Sequence, residues 1–238
     1  MEISPDNIIF WQWQWITLNA TMIFTWLVML ILVVGSWLVT RNLSVRPQMS
    51  RWQNMLEIIV DTINNQIRDA SRQEPTQFLP LIGTLFLFIA FSNLLTIFPG
   101  YQSPAGSLST TAALALCVFV AVPIYGIKQR GIVGYLKNYI QPTPIMLPFH
   151  VISEVSRTLS LAIRLFGNIM STSLLVAILV SLIPLIFPAL MQAFGLLIGV
   201  IQAYVFTILA MVYIASGMRA QRTTERQTNQ RSPEGTAE

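Results

Sequence analysis

Apolar runs about as long as a lipid bilayer is thick recur along this chain, and they constrain it more than any other feature. A transmembrane helix needs roughly 20 consecutive apolar residues. Residues 16–39, 78–98 and 110–127 approach or exceed that length, the third only narrowly. Trp11, Trp13 and Trp15 stand just ahead of the first run, where indole rings suit a membrane–water interface. The composition agrees: 54% of the 238 residues are hydrophobic and 10% are charged, where a soluble domain carries about 25% charged residues. Fourteen basic and ten acidic side chains are too few to solvate a globule of this length. That excludes a soluble enzyme and, despite the basic excess, a nucleic-acid binder; the class is an integral membrane protein. Cys117 is the single cysteine, so an internal disulfide framework and a Cys-rich metal site are also excluded. Met1–Phe10 holds Glu2 and Asp6 but no Lys or Arg, unlike the basic start of a signal peptide, and the whole chain is expected to be mature.

Two further apolar stretches are too long for upright spans. Residues 145–186 contain only three charges, Glu154, Arg157 and Arg164, and as one helix would reach about 60 Å against a hydrocarbon core of about 30 Å. Residues 189–218 follow after Pro184 and Pro188. Two long, tilted antiparallel helices joined by a Pro-containing turn explain both lengths; a break in each into a span plus a surface helix is the alternative. Residues 50–70 differ again. Trp52, Met55, Leu56, Ile59, Ile63 and Ile67 recur at helical spacing, opposite Arg51, Gln53, Asn54, Asp61, Asn64, Asn65 and Arg68, as in an amphipathic helix lying along a membrane surface. The expected architecture is therefore all-α: a single transmembrane domain over residues 1–220 with spans at about 16–39, 78–98, 110–127, 145–183 and 189–218, the last two a long tilted hairpin, then a polar, unstructured cytoplasmic tail at 221–238. Twelve of the fourteen basic residues fall after the first, third and fifth spans, and the segments assigned to the opposite side have none. By the positive-inside rule the N-terminus is outside and the C-terminus cytoplasmic.

Arg164 is the anomaly. It sits about 18 residues into the fourth stretch, and a charge at such depth costs at least ~2.5–3.5 kcal/mol on insertion scales, so it should face protein or water. Ser153, Arg157, Ser160, Arg164, Asn168 and Ser171 follow one another at spacings of three or four, which places them on one helix face among Leu, Ile, Val and Phe. A polar stripe with a fixed cation at its middle suits an aqueous ion path divided in two; a stripe that only hydrogen-bonds neighbouring helices is the plainer reading. Glu154 is a carboxylate near the cytoplasmic start of that stripe. On the last helix, Gln192, Gly195, Gly199 and Gln202 share a face. Gly195 and Gly199 form a GxxxG pair that allows close helix approach, and Gln202 is a neutral partner able to orient Arg164. A further uncharged set lies near the outer surface: Ser92, Asn93, Thr96, Ser107, Ser109, Thr110 and Thr111, with Ser171, Thr172 and Ser173 on the same half. These either line a wet vestibule or cap helix ends. No Gly-rich phosphate loop, metal-ligand cluster or nucleophile triad is present, so neither a catalytic residue, a cofactor nor a bound metal is expected, and the chain itself should not hydrolyse nucleotide.

SLAIRLFGNIM at 160–170 and IQAYVFTILAMVYIASG at 201–217 resemble the signature segments of subunit a of the F-type ATP synthases. NMLEIIVDTINNQIRD, SNLLTIFPG and STTAALAL resemble that family's surface helix, its next two spans and their connection. The likeness extends from about residue 51 to 217. It implies a membrane stator subunit beside the rotating c-subunit ring, held with peripheral-stalk b subunits in a bacterial cell (inner) membrane. It also implies that Arg164 matches the essential arginine that faces each passing c-subunit carboxylate and blocks leakage between two half-channels. Asn168 matches the motif's asparagine and Gln202 the glutamine near the arginine. The transported ion stays open. Where many members carry acids or histidine, this chain has Thr96, Ser173 and Gly195. Neutral oxygens suit sodium, whereas water-mediated transfer would suit protons. The pattern resembles the divergent bacterial N-type branch, for which sodium transport has been proposed. Two rival classes are a secondary transporter with a mid-membrane site, which calls for internal repeats, and a structural anchor, which calls for no mid-span arginine; the sequence shows the arginine and no repeat.

Overall fold

Helices occupy nearly all of the computed structural model, which describes residues 9–13, 16–41, 51–71, 77–98, 100–140, 146–182 and 187–231. In chain order these are the strands β1 (Ile9–Trp13) and β2 (Ile16–Asn19), then helices α1 (Ala20–Thr40), α2 (Arg51–Ser71), α3 (Leu79–Leu94), α4 (Leu108–Ile140), α5 (Met146–Leu182) and α6 (Phe187–Arg231). Five of them contain windows long and apolar enough to cross a membrane: Ala20–Leu38, Leu79–Ile97, Leu108–Lys128, Pro148–Ser181 and Ala189–Ala215. The chain is an all-α, multi-pass membrane protein, as the apolar runs require.

Three boundaries differ from the sequence reading. The first apolar run opens as strand, because Ile16–Asn19 pairs antiparallel with Ile9–Trp13 in the register Trp11 with Leu18 and Trp13 with Ile16. β-Branched and aromatic residues favour such a pair, and α1 starts only after Asn19, whose backbone is extended at φ −83° and ψ 155°. α4 continues beyond residue 127 to Ile140, interrupted at Gly131, where φ is 76°, a left-handed conformation that glycine adopts at no steric cost. α6 continues through the expected tail to Arg231, since nine of the thirteen residues 219–231 are Arg, Gln, Glu or Ala, good helix formers that outweigh three Thr and one Asn, with no Gly or Pro among them. The Pro-containing turn expected at 182–188 falls partly on residues 183–186, outside the described residues, as do residues 1–8 and 232–238.

α5 and α6 are each continuous and antiparallel. At 37 residues α5 is about 55 Å long, so it crosses a core of about 30 Å only by tilting or by reaching beyond it. α3, α4, α5 and α6 share one buried cluster that includes Ile82, Ile89, Val118, Leu161, Leu165, Phe206, Met211 and Ile214. Ala115, Ala203 and Ala210 are fully buried within it. Small residues at such contacts let helix backbones approach, which matters in lipid, where burying Leu against Leu gains nothing over burying it against acyl chains. α1 joins the bundle through Ala20, Thr21 and Val28, while Trp26 is 77% exposed. α2 turns Ile59 and Ile63 towards the cluster and leaves Glu57, Asp61, Asn65 and Arg68 exposed.

The tightest approaches run through α6. A Cβ at Gly199 would lie 2.7 Å from Asn93 Cβ of α3, and one at Gly195 would lie 2.9 Å from Thr172 Cγ2 of α5. Each glycine of the GxxxG pair thus admits a different neighbour. Gly199→Ala is expected to destabilise the protein by about 1–3 kcal/mol, because a methyl group there must displace Asn93. Gly83→Ala, where nothing lies within 4 Å, should be neutral or stabilising, because alanine is the better helix former. Thermal unfolding of the purified protein in detergent compares the two.

Candidate functional site

A cavity of about 440 Å³ lies between α3, α5, α6 and the segment that joins α3 to α4. That segment folds inward because of its own residues. The 3-10 turn Leu95–Ile97 ends α3, and Gly100 adopts φ 90°. Pro104 then starts a second 3-10 turn, Pro104–Gly106, and Ser107 sits extended at the head of α4, its carbonyl accepting the Thr111 N–H at 3.1 Å. Residues Ser103 to Ser107 are all buried as a result. The Tyr101 ring packs edge-on against Phe24 of α1, with centroids 4.9 Å apart, and burial pushes its phenol well above the ordinary value, so it is neutral at physiological pH.

Four side-chain amides organise the walls. Asn93 donates from Nδ2 to the Gly199 carbonyl at 3.0 Å and accepts from Ser103 Oγ at 3.3 Å. Gln192 donates from Nε2 to the Thr96 carbonyl at 2.6 Å, tying the start of α6 to the end of α3. Asn168 of α5 donates to Gln202 Oε1 of α6 at 2.5 Å. Gln202 is 4% exposed, and its Nε2 has no partner among the described residues. The hydroxyls behave differently, because each gives its hydrogen to a nearby acceptor. Thr96 bonds the Asn93 carbonyl at 2.6 Å, Thr172 the Asn168 carbonyl at 2.9 Å and Ser173 the Ile169 carbonyl at 3.0 Å. Such back-bonding satisfies a hydroxyl without any help from solvent.

Of the residues expected along an ion path, Asn93, Thr96, Asn168, Thr172, Ser173 and Gln202 meet at this cavity, together with Gly195 and Gly199 of the expected packing pair. Thr110, Thr111 and Ser171 do not. Thr111 is buried, and its hydroxyl bonds the Leu108 carbonyl at 3.0 Å. Ser171 is exposed on the same face as Arg164, two turns away. Ser153, Arg157, Ser160 and Arg164 are all exposed on α5, with Glu154 half-buried beside them. Arg157 lies over the Tyr213 ring at 5.8 Å. Arg164 takes part in no hydrogen bond or ion pair among the described residues. Exposed Ile152, Leu159 and Ile163 flank the stripe, so the open face of α5 is an apolar surface with a guanidinium set into it. Tyr101, Gln102, Ser103, Gly106 and Gln192 also line the cavity and were not singled out as lining residues from sequence. For the first four the signal was the Gly100–Gly106 segment, whose glycines and Pro104 mark a tight fold between two spans. Among the described residues no group of three His, Cys, Asp or Glu side chains is placed to hold a metal ion.

Comparison with known proteins gives one consistent family. The family model described as ATP synthase A chain matches residues 22–215. ATP synthase subunit a 1 of Crocosphaera subtropica is 77% identical over 222 residues, covering 93% of this chain and 96% of the relative. ATP synthase subunit a of Albidiferax ferrireducens is 57% identical, covering 93% and 96%. ATP synthase subunit a 1 of Chlorobaculum parvum is 55% identical, covering 96% and 100%.

The amide pair makes a measurable prediction. Asn168→Leu leaves Gln202 buried with neither end bonded, which should cost about 1–3 kcal/mol. Asn168→Leu combined with Gln202→Leu should recover part of that loss, because no buried polar group is then orphaned. Thermal unfolding of the two single variants and the double variant tests this, and strict additivity would show that the bond contributes nothing.

Proposed function

The chain belongs to the ATP synthase subunit a family, the membrane stator subunit of the F-type enzyme, and from that premise we propose that it moves ions through two aqueous half-channels separated by Arg164. As a subunit a it is a membrane ion-channel component that makes no ATP itself, since the nucleotide chemistry resides in other subunits. The observation that carries the proposal is a guanidinium without a partner among the described residues, on the open face of a long span and one turn from Asn168, which lines a cavity of amides, hydroxyls and aliphatic side chains.

A guanidinium at mid-membrane needs an anionic or aqueous partner, and the chain offers it none among the described residues. A rotor carboxylate brought against the α5 face by the c-subunit ring supplies that partner. Each ion-bearing carboxylate that arrives opposite Arg164 is then pushed towards its ionised form, because a nearby cation favours the charged state. The ion leaves into one half-channel, and the emptied carboxylate passes the arginine as an ion pair. A free cation cannot follow: two unit charges 4 Å apart repel by about 4 kcal/mol at an effective dielectric of 20. Transport is thereby tied to rotation.

The 440 Å³ cavity is read as part of the outer half-channel, with the N-terminus outside and the C-terminus in the cytoplasm. The exposed start of the stripe, Ser153, Arg157 and Ser160 with Glu154, belongs to the cytoplasmic half. Peripheral-stalk b subunits hold this stator against the turning ring. The ion is read as sodium. The cavity's lining is neutral at physiological pH, with Tyr101 its one ionisable member, and neutral oxygens suit a hard monovalent cation better than they suit a chain of titrating relays. Protons carried along water in the same cavity are the second reading.

In the assembled complex, Arg164→Ala is expected to abolish ATP-driven ion transport into sealed vesicles while the complex still assembles. Arg164→Lys should keep a cation there but lose the planar fork that holds a carboxylate with two parallel bonds, and so should retain only weak transport. Undiminished pumping by the alanine variant would overturn the proposal.

A further inference from the structure

Four of the cavity's five lining hydroxyls, those of Thr96, Ser103, Thr172 and Ser173, have each committed their single hydrogen to an acceptor within the chain, and the fifth is the buried phenol of Tyr101. A hydroxyl in that condition presents only lone pairs. Gln102 Oε1 lies in the same wall, buried and without a hydrogen-bond partner among the described residues. A buried carbonyl oxygen left unbonded is costly unless something positive or hydrogen-bearing meets it. The opposite end of the cavity has the opposite chemistry, for there Gln202 presents an unbonded N–H from Nε2. That end calls for an oxygen lone pair, as water provides, and Asn168, which bonds Gln202 there, is one helical turn from Arg164, so a bare cation is disfavoured there twice over.

We propose that Gln102 Oε1, Ser103 Oγ and Thr96 Oγ1 form a coordination site for a partly dehydrated sodium ion at the outer end of the cavity. Thr96 bonds the Asn93 carbonyl, Ser103 bonds Asn93 Oδ1, and Gln102 precedes Ser103 in the chain and lines the same cavity. Neutral oxygens alone, with no carboxylate among the lining residues, select a monovalent over a divalent ion, because affinity for divalent ions rises with the number of charged ligands. Weak binding is what a path requires, since a site on a conduction route has to release what it holds. Cavity waters complete the shell and bridge to Gln202. The site deepens the half-channel reading and rests on it for its sidedness.

The test uses the complete ATP synthase complex in proteoliposomes preloaded with graded Na⁺, in which ATP-driven pumping fills the lumen and the lumen corresponds to the outer side. Lumenal Na⁺ should inhibit wild-type pumping by occupying the outer path. Gln102→Leu should raise the half-inhibitory lumenal concentration roughly three- to tenfold, the effect of losing one neutral ligand. The external Na⁺ concentration that half-saturates ATP hydrolysis should stay unchanged, because those ions enter from the cytoplasmic side; a general folding defect would move both. Gln102→Glu should lower the half-inhibitory concentration and make it depend on pH in the carboxylate range. An unchanged lumenal response in both variants overturns the site, as does a wild-type complex that pumps without Na⁺. Arg164→Ala, measured in parallel, separates the two ideas: if it abolishes pumping while the Gln102 variants behave as wild type, the site fails and the half-channel reading stands.

Discussion

A polar group within a membrane-spanning bundle has no bulk water to fall back on, and the arrangement of this protein follows from how each such group is satisfied. Threonine and serine meet the requirement locally by bonding the carbonyl one turn back, as Thr25, Thr84, Thr158, Thr172 and Thr207 all do. Asparagine and glutamine carry both a donor and an acceptor and cannot satisfy both on their own turn, so they reach across helices. Asn93, Asn168 and Gln192 therefore fix which helices touch, and at what height. Arg164 escapes the rule. It has no local bond and no cross-helix bond among the described residues, and it stands on the open face of α5. A charge held in that way makes sense only against a second surface, which makes this chain one side of an interface.

α6 is the element on which the cavity depends. Gly199 strips the side chain from the helix where Asn93 arrives, so Asn93 Nδ2 reaches the Gly199 carbonyl, a group that already serves the helix and still has a lone pair to offer. Gly195 does the same for Thr172, one turn away and facing a different helix. Between those two contacts α6 is wedged against α3 and α5, and it cannot close further on either. The space left between the three helices is the cavity. The close packing and the open volume thus have one cause: contact is allowed only where a glycine permits it, and residues such as Ile198 and Gln202 hold the walls apart elsewhere.

Periodicity made much of this legible in the sequence. The five spans, the apolar face of α2, the stripe on α5 and the odd position of Arg164 all follow from counting residues at a period of 3.6. Rotation of one helix against another does not follow from counting. Ser171 shows the difference: at about 100° per residue it falls roughly 20° to one side of Arg164, whereas Asn168 and Thr172, roughly 40° and 80° to the other side, reach the cavity. Thr110 and Thr111 lie at the correct height, but Thr111 turns into the bundle, where its hydroxyl bonds its own backbone. The Tyr101–Ser107 segment was legible only as a connection without basic residues. Its inward fold depends on Gly100, on two 3-10 turns and on the packing of Tyr101 against α1, none of which has a period. The strand pair at the start of the first apolar run was hidden by the opposite fault, since Ile16–Asn19 is apolar enough to extend the run while its pairing with Ile9–Trp13 leaves it extended.

The neutrality of the cavity and the charge of Arg164 then work as a pair. Were the lining anionic, a cation would bind too well at the outer end to move on, and the arginine beyond would find its counter-charge within its own subunit. Were Arg164 neutral, the cavity and the exposed start of the α5 stripe would form one continuous polar route along the helix. On the half-channel reading, with neutral oxygens on one side and a guanidinium unpaired among the described residues at the divide, the cation is admitted but not trapped, and the arginine keeps its affinity for a carboxylate that arrives from outside the chain. On that reading, the externally supplied carboxylate is the only group that can cross the divide, and it crosses only as its ring turns. Coupling therefore resides in what this subunit omits from its own cavity as much as in the one charge it retains.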